Sequence, residues 1–302
     1  MGEVLVVGSL NLDHVVTVEH LPLPGETVLG RDYLAVPGGK GLNQVVTAAR
    51  MGARARMAGC VGDDEAGHRL RQVLAGEGVD VTALRTVVGA PSGVALITVA
   101  RGGPNTVVVA PGANSHLSGR DVEVASSSLG PADVLLAQME VPFSAVEASL
   151  VSARARRATT VLNPAPATGP LPTQLLELVD VLVPNQTEAA ALSGCAGPEE
   201  AASRLLAQGC GSVLVTLGGE GVLLARPGQA PLRLAAYKVD AVDTTAAGDA
   251  FCGALAAWLC SGGDLVSAGQ RANAAGALAT TVVGALPSLP GAAAVDRLLA
   301  TT

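Results

Sequence analysis

Aromatic side chains are scarce in this chain: one Trp, two Tyr and two Phe among 302 residues, or 2%. An interior for a chain this hydrophobic (49%) must then be built from Val, Leu and Ala. Sites that stack a nucleobase on aromatic rings have few residues to draw on. Positive charge is also short. Nineteen Lys and Arg stand against 26 Asp and Glu, a formal net charge of −7 with no block of like charge. A phosphate-backbone ligand asks for a basic surface, so nucleic acid is not an expected partner.

Paired cysteine is missing too. Cys60, Cys195, Cys210, Cys252 and Cys260 are odd in number and form no CxxC. That fits free thiols in a reducing compartment and argues against a disulfide framework or a thiolate zinc site. Four scattered histidines without HExxH give no zinc-hydrolase motif. The opening "MGEVLVVGSL" lacks the basic region of a secretory leader. Apolar runs such as Phe251 to Cys260 stay well below the ~20 residues that span a bilayer. A soluble, cytoplasmic protein without a membrane partner is the expectation.

Two familiar phosphate motifs are absent. A P-loop needs GxxxxGK[ST], and "PGGKGLN" (37–43) lacks the first glycine and the hydroxyl after Lys40. "VVGSLNLDH" does not supply a GxGxxG fingerprint after the first strand.

What is present is an alternation. "EVLVVGS" (3–9), "RARMAGCVG" (54–62), "ADVLLAQ" (132–138), "TTVLNPAP" (159–166), "VDVLVPN" (179–185) and "SVLVTLGG" (212–219) read as buried strands, with helical spacing between them. Such a pattern predicts a mostly parallel sheet with helices on both faces, in one domain spanning 1–302. Functional residues then collect at the carboxyl ends of the strands. Segments 13–36 and 92–112 break the pattern. They read as hairpins, the second turning at "RGGPN", and predict a small β-sheet lid.

Several short stretches carry chemistry, each with a plainer alternative. In "TTAAGDAF" (244–251) small residues leave the backbone open at a helix start, where amides attract anions, and Asp249 stands beside them as a possible base. Read singly, an N-terminal Asp more often serves as a cap. Asn11 and Asp13 in "GSLNLDH" suit sugar hydroxyls or an Asx turn. Lys40 and Asn43 in "GGKGLNQ" suit a ligand or a capped helix. Glu140 follows a buried strand, as a ligand contact or a loop charge. Asn185 and Glu188 in "PNQTE" suit a nucleotide or a capping box. "TLGGEG" (216–221) permits backbone approach or a hairpin turn, and Asn273 is a polar exception among helical alanines.

Their order carries more than any one of them. "GSLNLDH", "PGETV", "GGKGLNQ", "NPAP", "PNQTE", "TLGGEG", "VDTTAAGD" and "GALPS" occur in sequence order, and by them the chain resembles the ribokinase-like sugar kinase family along essentially its whole length. The resemblance implies a three-layer α/β/α core with a β lid, and phosphorylation of D-ribose at O5 by ATP. Asp249 is then the base, with the amides of Ala246, Ala247 and Gly248 as an anion hole. Asn11, Asp13, Gly39, Lys40, Gly41, Asn43 and Glu140 are implied for the sugar. Asn185, Glu188, Thr216, Leu217, Gly218, Gly219, Glu220, Gly221, Gly248, Asp249 and Asn273 are implied for the nucleotide, Glu188 being linked to magnesium and phosphate and Mg2+ travelling largely with the nucleotide and water.

It further implies a monovalent cation, normally K+, between Asp243 and Thr245 on one side and Ala279, Val282, Gly284 and Ser288 on the other. Val282–Val283 departs from the basic or polar residues relatives often carry, so the implied site depends on the backbone path there. A homodimer through the lid is implied as well. Rival readings are a kinase for 2-deoxyribose, another sugar or a nucleoside, and a sugar-binding sensor without chemistry. Scarce aromatics argue against the nucleoside, and retention of Asp249 argues against the sensor.

Overall fold

In a computed structural model that describes residues 2–301, the β-branched runs become strands whose two faces are both covered. In chain order the strands are β1 (Glu3–Val7), β2 (Asn11–Val18), β3 (Tyr33–Gly38), β4 (Arg54–Gly62), β5 (Leu84–Val87), β6 (Gly93–Ala100) and β7 (Asn105–Ala110). They continue with β8 (Val134–Gln138), β9 (Thr159–Asn163), β10 (Val181–Leu182), β11 (Val213–Thr216), β12 (Val222–Ala225) and β13 (Leu232–Leu234). Among the described residues the central sheet has the order β13-β12-β11-β10-β9-β8-β1-β4-β5. It is parallel from β11 to β5, and β12 and β13 close one edge antiparallel.

Alternation along β1 shows why three layers form. Val4 and Val6 pack into one hydrophobic cluster with Leu42, Leu136 and Leu255, while Leu5 and Val7 pack into another with Leu135, Leu150 and Leu162. Each face of the sheet is therefore roofed by helices, as expected for a parallel sheet. Helices Lys40–Arg50, Ala247–Cys260 and Leu265–Ala279 cover the first face, with Leu42, Leu255 and Ala272 buried beneath them.

A second sheet has the order β3-β2-β6-β7. Both expected antiparallel pairs are there, β2 with β3 and β6 with β7, the latter turning through 101–104. The first is not a tight hairpin: Pro22, Pro24 and Gly25 interrupt extended structure, and 14 residues (19–32) bridge the strands. Parallel pairing of β2 with β6 fuses the two pairs into one sheet. Among the described residues no helix is long and apolar enough to cross a membrane.

Candidate active site

The carboxyl ends of β1, β8, β9, β10 and β11 open on one edge of the central sheet, and the polar residues of interest follow them. Ser9 and Asn11 come after β1, Glu140 after β8, Asn185 after β10, and Thr216 ends β11. Gly39 makes the next element possible. At φ 91° it starts helix Lys40–Arg50, and a Cβ there would lie 2.9 Å from the Asn11 nitrogen. The helix start thus rests directly on the β1–β2 connection, which brings the Lys40 amide to Glu140 and Asn43 to Asp249.

Asp249 lies in the first turn of helix Ala247–Cys260 and is 7% exposed. Its oxygens are divided between two amides: Asn43 Nδ2 donates to Oδ2 at 3.0 Å, and Gln44 Nε2 donates to Oδ1 at 2.9 Å. Burial raises its pKa, opposed by the Lys40 ammonium and these two hydrogen bonds. Lys40 is pulled down by its own burial, but Asp249, Glu140 and Glu188 more than offset this and leave it raised. Asp13 is pushed up to about 7 by burial, then by Glu140 and Asp249, and its Oδ1 is buried without a hydrogen-bond partner among the described residues. Ser9 Oγ donates to Glu140 Oε2 at 2.6 Å, as does the Lys40 amide at 3.2 Å. Asn114 Nδ2 donates to Asn11 Oδ1 at 2.9 Å.

The helix behind Asp249 begins under strain. Ala246 is left-handed, at φ 60°, which costs a non-glycine residue about 1–2 kcal/mol. Within that turn the Ala247 amide donates to the Thr244 carbonyl at 3.3 Å, while the first amides of a helix otherwise lack an intrahelical acceptor. A Cβ on Gly248 would meet nothing within 4 Å, so the missing side chain leaves open space in front of these amides.

Two chambers meet there. One, of about 220 Å3, is polar and is lined by Lys40, Asn163, Asn185, Glu188, Thr244 and Asp249. The other, of about 190 Å3, is lined by Val222, Tyr237, Val239, Phe251 and Ala277, with Gly218, Gly219 and Gly221 on its rim. Thr216 and Gly248 belong to both walls. A polar end for phosphates and an apolar end for a planar base, joined at a helix N-terminus, suit a nucleoside triphosphate.

The plainer alternatives also hold in places. Asn185 and Glu188 form a reciprocal capping box, Asn185 Oδ1 accepting from the Glu188 amide at 2.8 Å and Glu188 Oε2 from the Asn185 amide at 2.9 Å. They line the polar chamber all the same, and burial raises the Glu188 pKa against its bond to Asn185 and the nearby Lys40. Asn273 Nδ2 donates to the Ala235 carbonyl at 2.7 Å while lining the apolar chamber. Leu217 packs toward the core, and Glu220 is exposed and reaches Arg233 at 3.7 Å, so neither side chain is part of the chamber wall.

Asp243 ties two loops together. Its Oδ1 accepts from the Thr245 amide and hydroxyl at 2.9 and 2.7 Å, and its Oδ2 from the Gly284 amide at 2.8 Å. Burial raises its pKa, but those three bonds prevail and hold it low. Ala279 is buried, Ser288 Oγ donates to the Ala285 carbonyl, and Val282 and Val283 point outward. The Val282–Val283 departure therefore leaves the joining of the loops intact.

A model of the pfkB family carbohydrate kinases matches residues 1–292. The chain belongs to that family. A ribokinase of Haemophilus influenzae is 40% identical over 290 residues, covering 94% of each chain. A ribokinase structure from Thermotoga maritima superposes with a TM-score of 0.90 at 36% identity, covering 99% of this chain and all of its own. An Arabidopsis thaliana ribokinase complexed with ribose and ATP gives 0.89 at 30%, covering 99% of each. This pfkB kinase is accordingly a phosphotransferase with an alcohol acceptor.

Some residues of the pfkB site escaped sequence reading. Gln44, Gln138 and Asn163 form a buried amide cluster against Asp249, and Tyr237 lines the apolar chamber. Gln44 and Asn163 sit inside quoted motifs, "GGKGLNQ" and "NPAP", so their polar character at strand and helix ends was the available signal.

Proposed function

We propose that this chain is an ATP-dependent ribokinase that transfers the γ-phosphoryl group of ATP to O5 of D-ribose. One observation carries the reading: a buried carboxylate, Asp249, held by two amides at a helix start, Ala246 to Gly248, that lines both a polar and an apolar chamber. The ribokinase relatives support ribose and ATP as the pair. The cluster of Asn11, Asp13, Lys40, Asn43 and Glu140 supports a small polyhydroxy substrate.

In this reading Asn11, Asp13, Lys40, Asn43 and Glu140 hold the sugar hydroxyls, with Gly39 and Gly41 giving access. Asp249 takes the proton from the 5-hydroxyl. The freed oxygen forms a bond to the γ-phosphorus in line, and the bond to the β-phosphate oxygen breaks, releasing ADP. The amides of Ala246, Ala247 and Gly248 stabilise charge on the phosphoryl oxygens in flight. A positioned base contributes about 10²–10⁴-fold. The polar chamber takes the phosphates, with Asn185, and the apolar chamber takes the base.

Carboxylate, hydroxyl and backbone carbonyl oxygens are hard donors, so Glu188 fits Mg2+ through water, and Asp243 and Thr245, with the carbonyls of Ala279, Val282 and Gly284 and with Ser288, fit a monovalent cation such as K+. Bound cations supply neutralising charge beside the phosphates. The small sheet serves as a lid that excludes water and, by its outer face, as a homodimer contact. All five cysteines are free, which supports a reducing, cytoplasmic setting.

ADP release assayed with ribose, 2-deoxyribose, hexoses and adenosine, with and without K+, tests the reading. Ribose-dependent release with phosphate on O5, read by phosphorus NMR, is the expected result. Release that ignores ribose, or turnover with adenosine alone, overturns it.

A further inference from the structure

Gln44 has no room to be anything but a donor to Asp249. The Val183 carbonyl can only accept, so Asn163 presents its amide nitrogen to it at 2.9 Å and turns Oδ1 inward. Gln44 Nε2 then donates to Asn163 Oδ1 at 3.1 Å and to Asp249 Oδ1 at 2.9 Å. Its Oε1 faces the other way and accepts from Gln138 Nε2 at 2.6 Å. The chain of amides starts at a group that cannot donate and ends on a carboxylate, so every member has one allowed orientation.

The arrangement is costly, which argues that it serves something. Gln44 and Gln138 are fully buried, and Gln138 Oε1 is left without a partner among the described residues. Even a Cβ on Gly8 would collide with that oxygen, at 1.9 Å. Apolar residues of similar volume would fill the same space without an unpaired buried group. Asn43 also holds Asp249, but it stands in the sugar cluster. Among the described residues the Gln44 side chain bonds only to Asp249 and to other amides.

We propose that Gln44, oriented by Gln138 and Asn163, is a positioning residue that fixes the plane of the Asp249 carboxylate and keeps it ionised for proton abstraction. This rests on the reading of Asp249 as base. Without the Gln44 donor the carboxylate turns about its side-chain bond, and burial raises its pKa further. The other groups that act on it stay in place: Lys40 on the same helix, Glu140 after β8, Asp13 on β2, Glu188 after β10 and Cys252 on its own helix.

The test uses the full chain with Gln44→Met, Gln138→Met and the double substitution, measuring kcat against pH at saturating ribose and ATP. In Gln44→Met, kcat at pH 7 is expected to fall about 10-fold, with the ribose KM within about twofold and the acid limb moved up by about one pH unit. Gln138→Met moves the limb the same way by less. The double is no worse than Gln44→Met, because Gln138 acts through Gln44. Circular dichroism at each pH shows whether the variant stays folded across the limb, which separates titration of Asp249 from acid unfolding. A Gln44→Met limb that superimposes on wild type, or additive effects in the double, overturns the proposal. Asp249→Asn keeps the two failures apart: undiminished turnover there removes the base itself, whereas a dead Asp249→Asn beside a wild-type-like Gln44→Met removes only the positioning role.

Discussion

Leu96 and Val108 stand opposite one another in the register of β6 and β7, and they are 56% and 65% exposed. Directly paired residues share a face of the sheet. Their row continues through His14 to Ala35, while the next row holds Val36, Asp13, Ala95 and Val109. The sheet therefore turns Asp13 to one side and, to the other, a row in which Ala35, Leu96 and Val108 flank His14. Exposed apolar rows of this kind mark association surfaces. The expected state is a homodimer by light scattering, with Leu96→Asp or Val108→Asp shifting it to monomer. A monomeric wild type would remove the dimer.

Asp13 predicts a pH effect on sugar binding. With a pKa near 7 in the free protein, it loses its charge as pH falls below neutrality. A neutral carboxyl accepts hydroxyl protons less well, so kcat/KM for ribose should fall up to about tenfold per pH unit below 7. Asp13→Asn should abolish that limb. Its raised pKa also has a stability sign: the contribution is full below the ordinary 3.8 and is lost as pH rises through about 7. Asp13→Asn should therefore raise the unfolding free energy at pH 8, by no more than about 4 kcal/mol, and Tm with it, while binding ribose poorly. An unchanged Tm would show that the burial of Asp13 is not opposed to its charge.

Loop joining at Asp243 gives a third expectation. Asp243→Ala removes three hydrogen bonds to a charged acceptor. Each bond of that class is worth about 1.5–3 kcal/mol when well buried and less near solvent, as here. Tm should drop by several degrees, and the K+ concentration for half-activation should rise at least about tenfold. Retained K+ response would place the cation elsewhere.

Much of the architecture was open to sequence reading because its cause is local. "RARMAGCVG" forms β4 over its full length, since Met57 to Gly62 is a continuous apolar run buried on both faces and Arg54 and Arg56 stand at its less buried start. "VDVLVPN" yields only Val181–Leu182, because pairing is limited by its neighbours rather than by its composition. Asp249 and its glycine were legible as a motif, whereas the Gln138–Gln44–Asn163 chain was not. Its members are 94 and 119 residues apart, and nothing local announces that buried amides will meet. Capping and lining proved compatible at Asn185 and Glu188, a distinction sequence alone had kept open.

Gly248 separates stability from activity most cleanly. An added methyl meets nothing within 4 Å in the folded chain, and Gly248 lies in the first turn of a helix. Gly→Ala at such a position removes unfolded-state freedom and should stabilise the protein by about 0.4–1 kcal/mol. The same methyl would occupy space beside the helix start, where the proposed reading seats the phosphoryl oxygens. Removing one such donor contact costs about 10²–10³-fold in kcat, so Gly248→Ala should melt at or slightly above wild type and turn over at least about 10²-fold more slowly. Gly248→Val should lose more activity, with ribose binding by calorimetry unchanged in both. A Gly248→Ala protein with normal kcat would mean that the helix start is not where the transferring phosphate is held.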